Sequence, residues 1–207
     1  MYEVEVKVPA DHEAVRRRLR ELDAERLETV RQADTYYDAP HRNFVATDEA
    51  LRVREETRTG AGTGTGAEKG TGAENEGGET VGAAAEETTV HRLTYKGPKV
   101  DEASKTRAEH ETDVGDPDAM DSALQALGFD PVADVRKERE RYALDGYTVT
   151  LDEVDGLGQF VEVERDVPEA EIEATRDGAL ALLDDLGLDP DASVRTSYLG
   201  LMLGDEE

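Results

Sequence analysis

Short segments in which apolar and charged residues alternate recur along the chain. The first, Glu3–Val8, reads Glu-Val-Glu-Val-Lys-Val. Because successive side chains of a β-strand point to opposite faces, its three valines line one face and its three charged side chains line the other. Ala50–Glu55, Arg92–Lys96 and Arg107–Glu111 repeat the alternation. The pattern predicts strands that are each buried on one face.

Four further segments are rich in Val, Thr, Tyr and Arg and are bounded by turn residues, which is typical of strands. They are Leu27–Asp38, Val135–Leu144, Tyr147–Asp152 and Gln159–Asp166.

Apolar residues at helical spacing predict three amphipathic helices between the strands. The first spans residues 11–24, the second runs from Pro117 to Gly128, and the third ends at Leu186. A short last segment, Ser197–Leu203, is predicted to be a helix that docks as a cover.

Residues 58–88 interrupt the alternation, because they consist mainly of Gly, Thr, Ala and Glu. Such a segment cannot bury enough apolar surface to offset the entropy lost on ordering, so we expect a disordered insertion. Since only its ends must be close, it is expected to join two neighbouring strands of a hairpin. Nothing divides the rest of residues 1–207 into separate cores, which predicts a single domain.

The charged faces of the strands carry like charges in pairs. Acidic pairs occur at Glu3/Glu5, Glu109/Glu111 and Glu162/Glu164, and basic pairs at Arg52/Arg54 and Lys137/Arg139. Two arrangements accommodate them: a sandwich whose charged faces are solvated, or one closed sheet with helices outside and the charges facing a lumen. In a closed sheet each buried carboxylate needs a cation, because an unpaired buried charge is costly.

The closed arrangement has a chemical consequence. Arg and Lys supply part of the neutralising charge, and divalent metal ions supply the rest. Carboxylate oxygens without thiolates and with few imidazoles favour Mg²⁺ or Mn²⁺ over zinc. Such a lumen suits a polyanion that binds metal, since its phosphate oxygens are neutralised by bases on one side and by metal on the other.

Composition restricts the partners and the compartment. Asp and Glu number 50 against 24 Lys and Arg, which gives a formal charge of -26. This surface repels nucleic acid and anionic membranes, and we interpret it as adaptation to a very salty, halophilic cytosol rather than to one cationic partner.

The absence of Cys excludes disulfides and zinc–thiolate sites, and the four His lack metal-ligand spacing. No apolar run could span a bilayer and the first strand leaves no room for a signal peptide, so a cytoplasmic location is expected.

Taken together, these segments resemble the CYTH family, the triphosphate tunnel metalloenzymes. The matching motifs are Glu3-x-Glu5-x-Lys7, Asp34-x-Tyr36-Tyr37-Asp38, Leu51-Arg52-x-Arg54, Thr94-x-Lys96-Gly97, Arg107-x-Glu109-x-Glu111, Lys137-x-Arg139-x-x-Tyr142 and Leu151–Glu164. The last segment is most similar to the class IV adenylyl cyclase branch. A lone Glu-x-Glu-x-Lys would be a weak signal, but the motifs in this order cover nearly the whole chain outside residues 58–88.

The resemblance implies an α+β fold, an eight-stranded antiparallel β tunnel barrel with helices packed outside, and Mg²⁺ or Mn²⁺ as cofactor. The implied metal-binding acids are Glu3, Glu5, Glu162 and Glu164, with Glu109, Glu111 and Asp152 at or near the metals. The implied triphosphate-binding bases are Lys7, Arg52, Arg54, Lys96, Lys137 and Arg139, joined by Arg107. Among these bases, the candidate catalytic residues are Lys7, Arg54, Lys96 and Arg139.

The resemblance leaves the reaction open. The first expectation is a class IV adenylyl cyclase-like enzyme, in which the ribose 3′-hydroxyl of ATP attacks the α-phosphorus and pyrophosphate leaves. The alternative is a tripolyphosphatase or a thiamine-triphosphatase-like hydrolase, in which water attacks the terminal phosphorus. A non-catalytic polyphosphate or nucleotide sensor ranks behind both, because the acidic and basic sets are complete. A homodimer is compatible with the resemblance.

Overall fold

The structure, a computed structural model, describes residues 2–59, 87–100 and 105–204, which form eight strands and five helices. The strands are β1 (Tyr2–Pro9), β2 (Glu25–Asp38), β3 (Ala50–Thr59), β4 (Glu87–Lys99), β5 (Arg107–Asp113), β6 (Asp130–Leu144), β7 (Tyr147–Val154) and β8 (Gly158–Val167). The helices are α1 (His12–Glu21), α2 (Phe44–Thr47), α3 (Pro117–Ala126), α4 (Ile172–Asp185) and α5 (Tyr198–Leu203). None of the described helices has the length and apolar character that a membrane span requires.

The eight strands pair antiparallel and close into one barrel in the order β1-β5-β4-β3-β2-β6-β7-β8. The pairing of β1 with β8 extends along all of β1, from Tyr2 opposite Val167 to Pro9 opposite Phe160. The other edge of β1 pairs with β5 over a short stretch that includes Glu3 opposite Arg107. This closure confirms the predicted tunnel barrel and excludes a sandwich with solvated charged faces.

The apolar core lies between the outer face of the barrel and the helices. Val6 and Val163 pack under α1 and α4 against Leu183, and all three residues are at most 2% exposed. Leu124 of α3 belongs to a second cluster, and Tyr198 of α5 packs in a third. The valines of the alternating strands therefore face the helices, and the charged side chains between them face the interior.

Asp11 and Asp116 show why α1 and α3 begin where they do. Each residue precedes its helix in an extended conformation, and its carboxylate accepts a hydrogen bond from a backbone N–H of the first turn, that of Ala14 or Ala119. These caps satisfy donors that have no partner within the helix.

The bounds of the predicted insertion are wrong at both ends. β3 continues to Thr59 and β4 begins at Glu87, and these two residues are opposite each other in the ladder. The two strands form the predicted hairpin. Residues 60–86, on which the prediction of disorder falls, lie outside the described residues.

Most other elements differ from the predictions by a few residues at their ends, and β6 and α2 depart further. β6 begins at Asp130 rather than Val135, because Pro131 occupies a strand position opposite Tyr37. Proline is tolerated near a strand start, where its missing N–H costs little. The one-turn helix α2 has no counterpart among the predictions.

Candidate active site in the barrel

A cavity of about 470 Å³ occupies the barrel interior and is called the tunnel below. All predicted site residues except Lys7 and Asp152 line it. They are joined by Tyr36, Ala50, Arg92, Thr94, Lys105, Arg141, Asp166, Ser197 and Tyr198. Because inward side chains alternate with outward valines along each strand, the same pattern that builds the core collects these charges.

The acidic wall of the tunnel is formed by β1 and β8. Glu5 is opposite Glu164 in the ladder, and Lys7 is opposite Glu162. Burial, with the charges of Glu3 and Glu162, raises the pKa of Glu164 to about 7 in spite of Arg139. Burial and Glu162 also raise the pKa of Glu5. Burial therefore disfavours the negative charge of Glu5 and Glu164, whereas Arg139 and Lys137 outweigh burial at Glu162 and hold its pKa well below its usual range.

Asp34 holds two of the basic residues in place. Arg54 donates to its carboxylate through Nε at 2.6 Å and through a terminal nitrogen at 2.7 Å, and Arg52 lies 3.3 Å from it. Asp34 is 2% exposed. Burial alone would raise its pKa, but Arg52 and Arg54 lower it well below its usual range. The sequence motif contains Asp34 without assigning it this positioning role.

Asp152 holds the second basic pair, Lys137 and Arg139, in place in the same way. It accepts hydrogen bonds from Lys137 Nζ at 2.9 Å, from Arg139 Nε at 2.6 Å and from the Tyr198 hydroxyl at 3.0 Å. Its exposure is 0%, and it does not line the tunnel. The structure therefore places Asp152 behind the bases, as their counterion, where it shares a terminal nitrogen of Arg139 with Glu162 of the acidic wall.

Ion pairs link the acidic and basic walls directly. Lys96 lies 2.8 Å from both Glu3 and Glu109. Arg139 binds Glu162 as well as Asp152. Arg92 lies 3.4 Å from Glu111. Acidic and basic side chains of the tunnel thus neutralise part of each other's charge.

Lys7 is enclosed behind α5 rather than exposed in the tunnel. Its Nζ donates to the carbonyl oxygen of Thr196 at 2.6 Å and lies 4.1 Å from the centre of the Tyr198 ring. The residue is 0% exposed. Burial and the charge of Lys105 lower the pKa of Lys7 to about 7. The predicted contact of Lys7 with substrate requires Tyr198 to move.

Arg107 lines the tunnel, and its guanidinium is paired with Asp48. Its two terminal nitrogens donate to the backbone carbonyl of Asp48 at 2.7 Å and to the Asp48 carboxylate at 2.8 Å. The guanidinium therefore anchors the turn before β3, although the side chain also lines the tunnel.

Sequence reasoning missed several tunnel residues. Arg92 and Arg141 continue the inward alternation of Lys96 and Arg139, so the spacing alone would have found them. Lys105 precedes β5 in a segment without alternation, and Tyr198 comes from the last helix, so neither has such a signal.

The acidic wall fits a hard divalent cation such as Mg²⁺ or Mn²⁺. Its donors are carboxylate oxygens, and a bound cation would offset the burial and the neighbouring carboxylates that raise the pKa of Glu164. In the described part of the chain, no three acidic or imidazole side chains are already gathered as a metal-binding group. The ion pairs of Glu3, Glu5 and Glu162 account for this, because each carboxylate is held by a lysine or an arginine.

A smaller cavity of about 170 Å³ adjoins the tunnel at α5. The two share Tyr36, Ala50 and Ser197. Tyr37, Phe44, Leu51, Leu199 and Leu203 contribute apolar or aromatic walls to the smaller cavity.

Comparison with known proteins agrees with this geometry. The CYTH domain matches residues 1–198. A protein of Methanocaldococcus jannaschii, named as a candidate adenylate cyclase, is 32% identical over 203 residues, which are 97% of this chain and 98% of that protein. A solved structure from Pyrococcus horikoshii OT3 is 36% identical, covers 99% of both chains and has a TM-score of 0.80.

A more distant structure shares the fold. It is a Hippeastrum protein described as a candidate adenylyl cyclase with a dominant triphosphatase activity. It is 16% identical, covers 100% of this chain and 96% of that one, and has a TM-score of 0.58. The extent of these matches, with the closed barrel and its charged lumen, shows that the chain belongs to the CYTH family of triphosphate-processing, divalent-metal-dependent tunnel enzymes.

Proposed function

We propose that this protein is a divalent-metal-dependent enzyme that converts ATP to cyclic AMP and pyrophosphate in the tunnel. The observation that carries the proposal is the division of one cavity inside the barrel into an acidic wall, around Glu5 and Glu164, and a basic wall, around Arg54 and Arg139. A metal–triphosphate complex has a complementary distribution of charge, with a cation for the acidic wall and phosphate oxygens for the basic wall.

Two arginines of the basic wall are oriented in advance to bind phosphate oxygens. Asp34 fixes the guanidinium of Arg54, and Asp152 fixes that of Arg139. Cations oriented in advance stabilise developing charge on a transferring phosphoryl group, because little reorganisation is needed during the reaction. Arg54 and Arg139 therefore hold the triphosphate, with Lys96 as a third base.

The acidic wall is suited to hold Mg²⁺ or Mn²⁺ through Glu3, Glu5, Glu162 and Glu164. Such an ion neutralises phosphate charge and lowers the pKa of an attacking hydroxyl group. Glu109 and Glu111 extend this acidic surface onto β5.

Two observations favour a nucleotide and cyclisation. The Methanocaldococcus jannaschii relative, which matches the whole length of the chain, is named as a candidate adenylate cyclase. The smaller cavity at α5 offers apolar and aromatic walls to the organic group of the substrate.

Hydrolysis of the terminal phosphate is the second candidate. It is supported by the triphosphatase activity described for the Hippeastrum protein, which has the same fold. The same residues serve both reactions, and the difference lies in whether water or the 3′-hydroxyl group reaches a phosphorus atom.

Phosphorus-31 NMR distinguishes the candidates in one experiment. Purified protein is incubated in high salt with ATP, tripolyphosphate or thiamine triphosphate, and with Mg²⁺ or Mn²⁺. Cyclic AMP with pyrophosphate supports the proposal, and orthophosphate supports the hydrolase. Binding without product indicates a sensor, and the absence of both binding and turnover contradicts every form of the proposal. Full metal-dependent turnover by both Glu3→Gln and Glu162→Gln would place the metal elsewhere.

A further inference from the structure

Lys105 is a basic residue of the tunnel that no motif in the sequence assigns. Its backbone N–H donates to the carbonyl oxygen of Glu5 at 3.0 Å, just before β5 begins. Its side-chain ammonium lies 2.5 Å from Glu5 Oε1. The residue is 8% exposed and lines the tunnel.

The carboxylate that Lys105 binds distinguishes it from the principal arginines. Arg54 and Arg139 each bind an enclosed carboxylate, Asp34 or Asp152, that does not line the tunnel, although Arg139 also binds Glu162 of the acidic wall. These two enclosed carboxylates can remain in place when phosphate binds. Among the described residues, the carboxylate that pairs with Lys105 is Glu5 of the acidic wall, so a metal ion bound by Glu5 would compete with the ammonium of Lys105.

We propose that Lys105 is a displaceable counterion, which holds Glu5 until a metal–triphosphate complex enters and then transfers its ammonium to a phosphate oxygen. This inference rests on the proposed function. An ammonium and a divalent cation repel each other strongly at one buried carboxylate oxygen, so they exclude one another there. The flexible four-carbon stem and compact charge of lysine permit the exchange.

Cooperative binding follows from this exchange. Metal alone must displace Lys105 without offering it a new anion, so free metal binds weakly. Triphosphate alone must draw Lys105 away and leave Glu5 buried without a cation. When metal and triphosphate bind together, Glu5 pairs with the metal ion and Lys105 pairs with a phosphate oxygen. By thermodynamic reciprocity, each ligand therefore raises the affinity of the protein for the other.

Calorimetric titration with Mn²⁺, without any triphosphate, tests the competition. We expect Lys105→Met to bind free Mn²⁺ about tenfold more tightly than the unmodified protein, within the usual range of coupling between sites. Lys105→Arg keeps the competing charge and should match the unmodified protein. In a Glu5→Gln background, Lys105→Met should change Mn²⁺ affinity little. An unchanged affinity in Lys105→Met, or an equal gain in the Glu5→Gln background, would overturn the proposal.

The second half of the exchange is measured with imidotriphosphate, a triphosphate whose bridging nitrogens resist cleavage. Lys105→Met should bind its Mg²⁺ complex about tenfold more weakly, while Lys105→Arg should bind it nearly as well as the unmodified protein. Equal binding by all three proteins would overturn the transfer of Lys105 to phosphate.

The unmodified protein provides a readout that does not depend on the folding of a variant. The chain has six lysines, so the NMR signals of their side-chain ends are few enough to assign. The Lys105 signal should shift when Mg²⁺–imidotriphosphate is added, and an unmoved signal in the bound state would overturn the exchange. Loss of turnover with every substrate would refute the proposed function but would leave the Mn²⁺ comparison intact, so the two failures are distinguishable.

Discussion

Glu5 of β1 lies directly opposite Glu164 of β8, and both side chains line the tunnel. Like charges at opposed positions of an antiparallel ladder destabilise it, and burial adds to the cost. Lys105 offsets the charge of Glu5, and the more distant Arg139 lies 3.9 Å from Glu164. Under the proposed function, this acidic pair is retained because it binds a cation.

Replacing Glu164 should raise the stability of the metal-free protein and lower its metal-dependent turnover. Glu164→Gln removes one of two opposed charges, so the metal-free protein should gain about 1 kcal/mol, or roughly 2–4 °C in Tm. The same change should lower metal-dependent turnover at least about 100-fold, the scale found when a group that stabilises the transition state is removed. Thermal unfolding with and without MnCl₂, together with the turnover assay, measures both effects. Glu153→Gln, at an exposed position of β7, is the matched control. A metal-free Tm below that of this control would contradict the account of the acidic pair.

Tyr198 should control access to Lys7. Tyr198→Phe removes only the hydrogen bond to Asp152, at a cost of about 0.5–1.5 kcal/mol, and keeps the ring over Lys7. Tyr198→Ala removes the ring as well. Removal of the ring should expose the Lys7 amine to an acylating reagent in solution.

Mass spectrometry after brief treatment with an amine-reactive ester measures that access. Lys7 should be protected in the unmodified protein and in Tyr198→Phe, and labelled in Tyr198→Ala. Labelling of Lys96 provides the internal reference. Equal protection of Lys7 in all three proteins would show that Tyr198 is not its cover.

Glu56 should make stability depend on pH in the acid range. It is 0% exposed and binds Gln32, Arg58 and Arg141. Burial opposes its charge, but the hydrogen bonds from Gln32 and Arg58 and the charge of Arg141 lower its pKa from 4.5 to about 2. Since the folded-state pKa is the lower one, the contribution is complete above pH 4.5 and is lost as the pH falls towards 2.

Glu56→Gln should therefore cost about 1–3 kcal/mol of unfolding free energy at pH 7, and the loss of stability between pH 4.5 and 2 should become shallower. Urea unfolding at several pH values measures both effects. Glu138→Gln, at an exposed position of β6, should retain the original slope. An unchanged slope in Glu56→Gln would assign the acid sensitivity to other carboxylates.

Residues 60–86 should be dispensable for folding. The hairpin ladder is already complete at Thr59 opposite Glu87, so a short Asn-Gly connection between these residues should serve as the turn. We expect cooperative unfolding to persist, with a change in free energy of about 1 kcal/mol or less, because loop closure depends only weakly on length. Loss of the cooperative transition in circular dichroism would show that the segment belongs to the folded core.

Strand alternation was sufficient to predict which side chains share a face. Val6 and Glu5 belong to opposite faces of β1 because of the period of two, and closure of the sheet then turns all of the charged faces inward. The resemblance added the closure itself and the roles of the charged pairs. Even the missed Arg92 and Arg141 follow the same alternation.

The remaining features depend on tertiary contacts that no local pattern encodes. Lys7 has the correct spacing for the tunnel, but it is covered by Tyr198, which is distant in the sequence. Asp152 has the spacing of a tunnel acid, yet Lys137 and Arg139 lie between it and the lumen. Lys105 reaches Glu5 from outside any regular strand.

Anomalous X-ray diffraction from crystals of the Mn²⁺–imidotriphosphate complex tests the central claim most directly. The account predicts a manganese peak among the carboxylates of Glu5, Glu162 and Glu164, with the phosphate chain along Arg54, Lys96 and Arg139. A manganese site confined to the exterior, or a triphosphate bound outside the barrel, would contradict it.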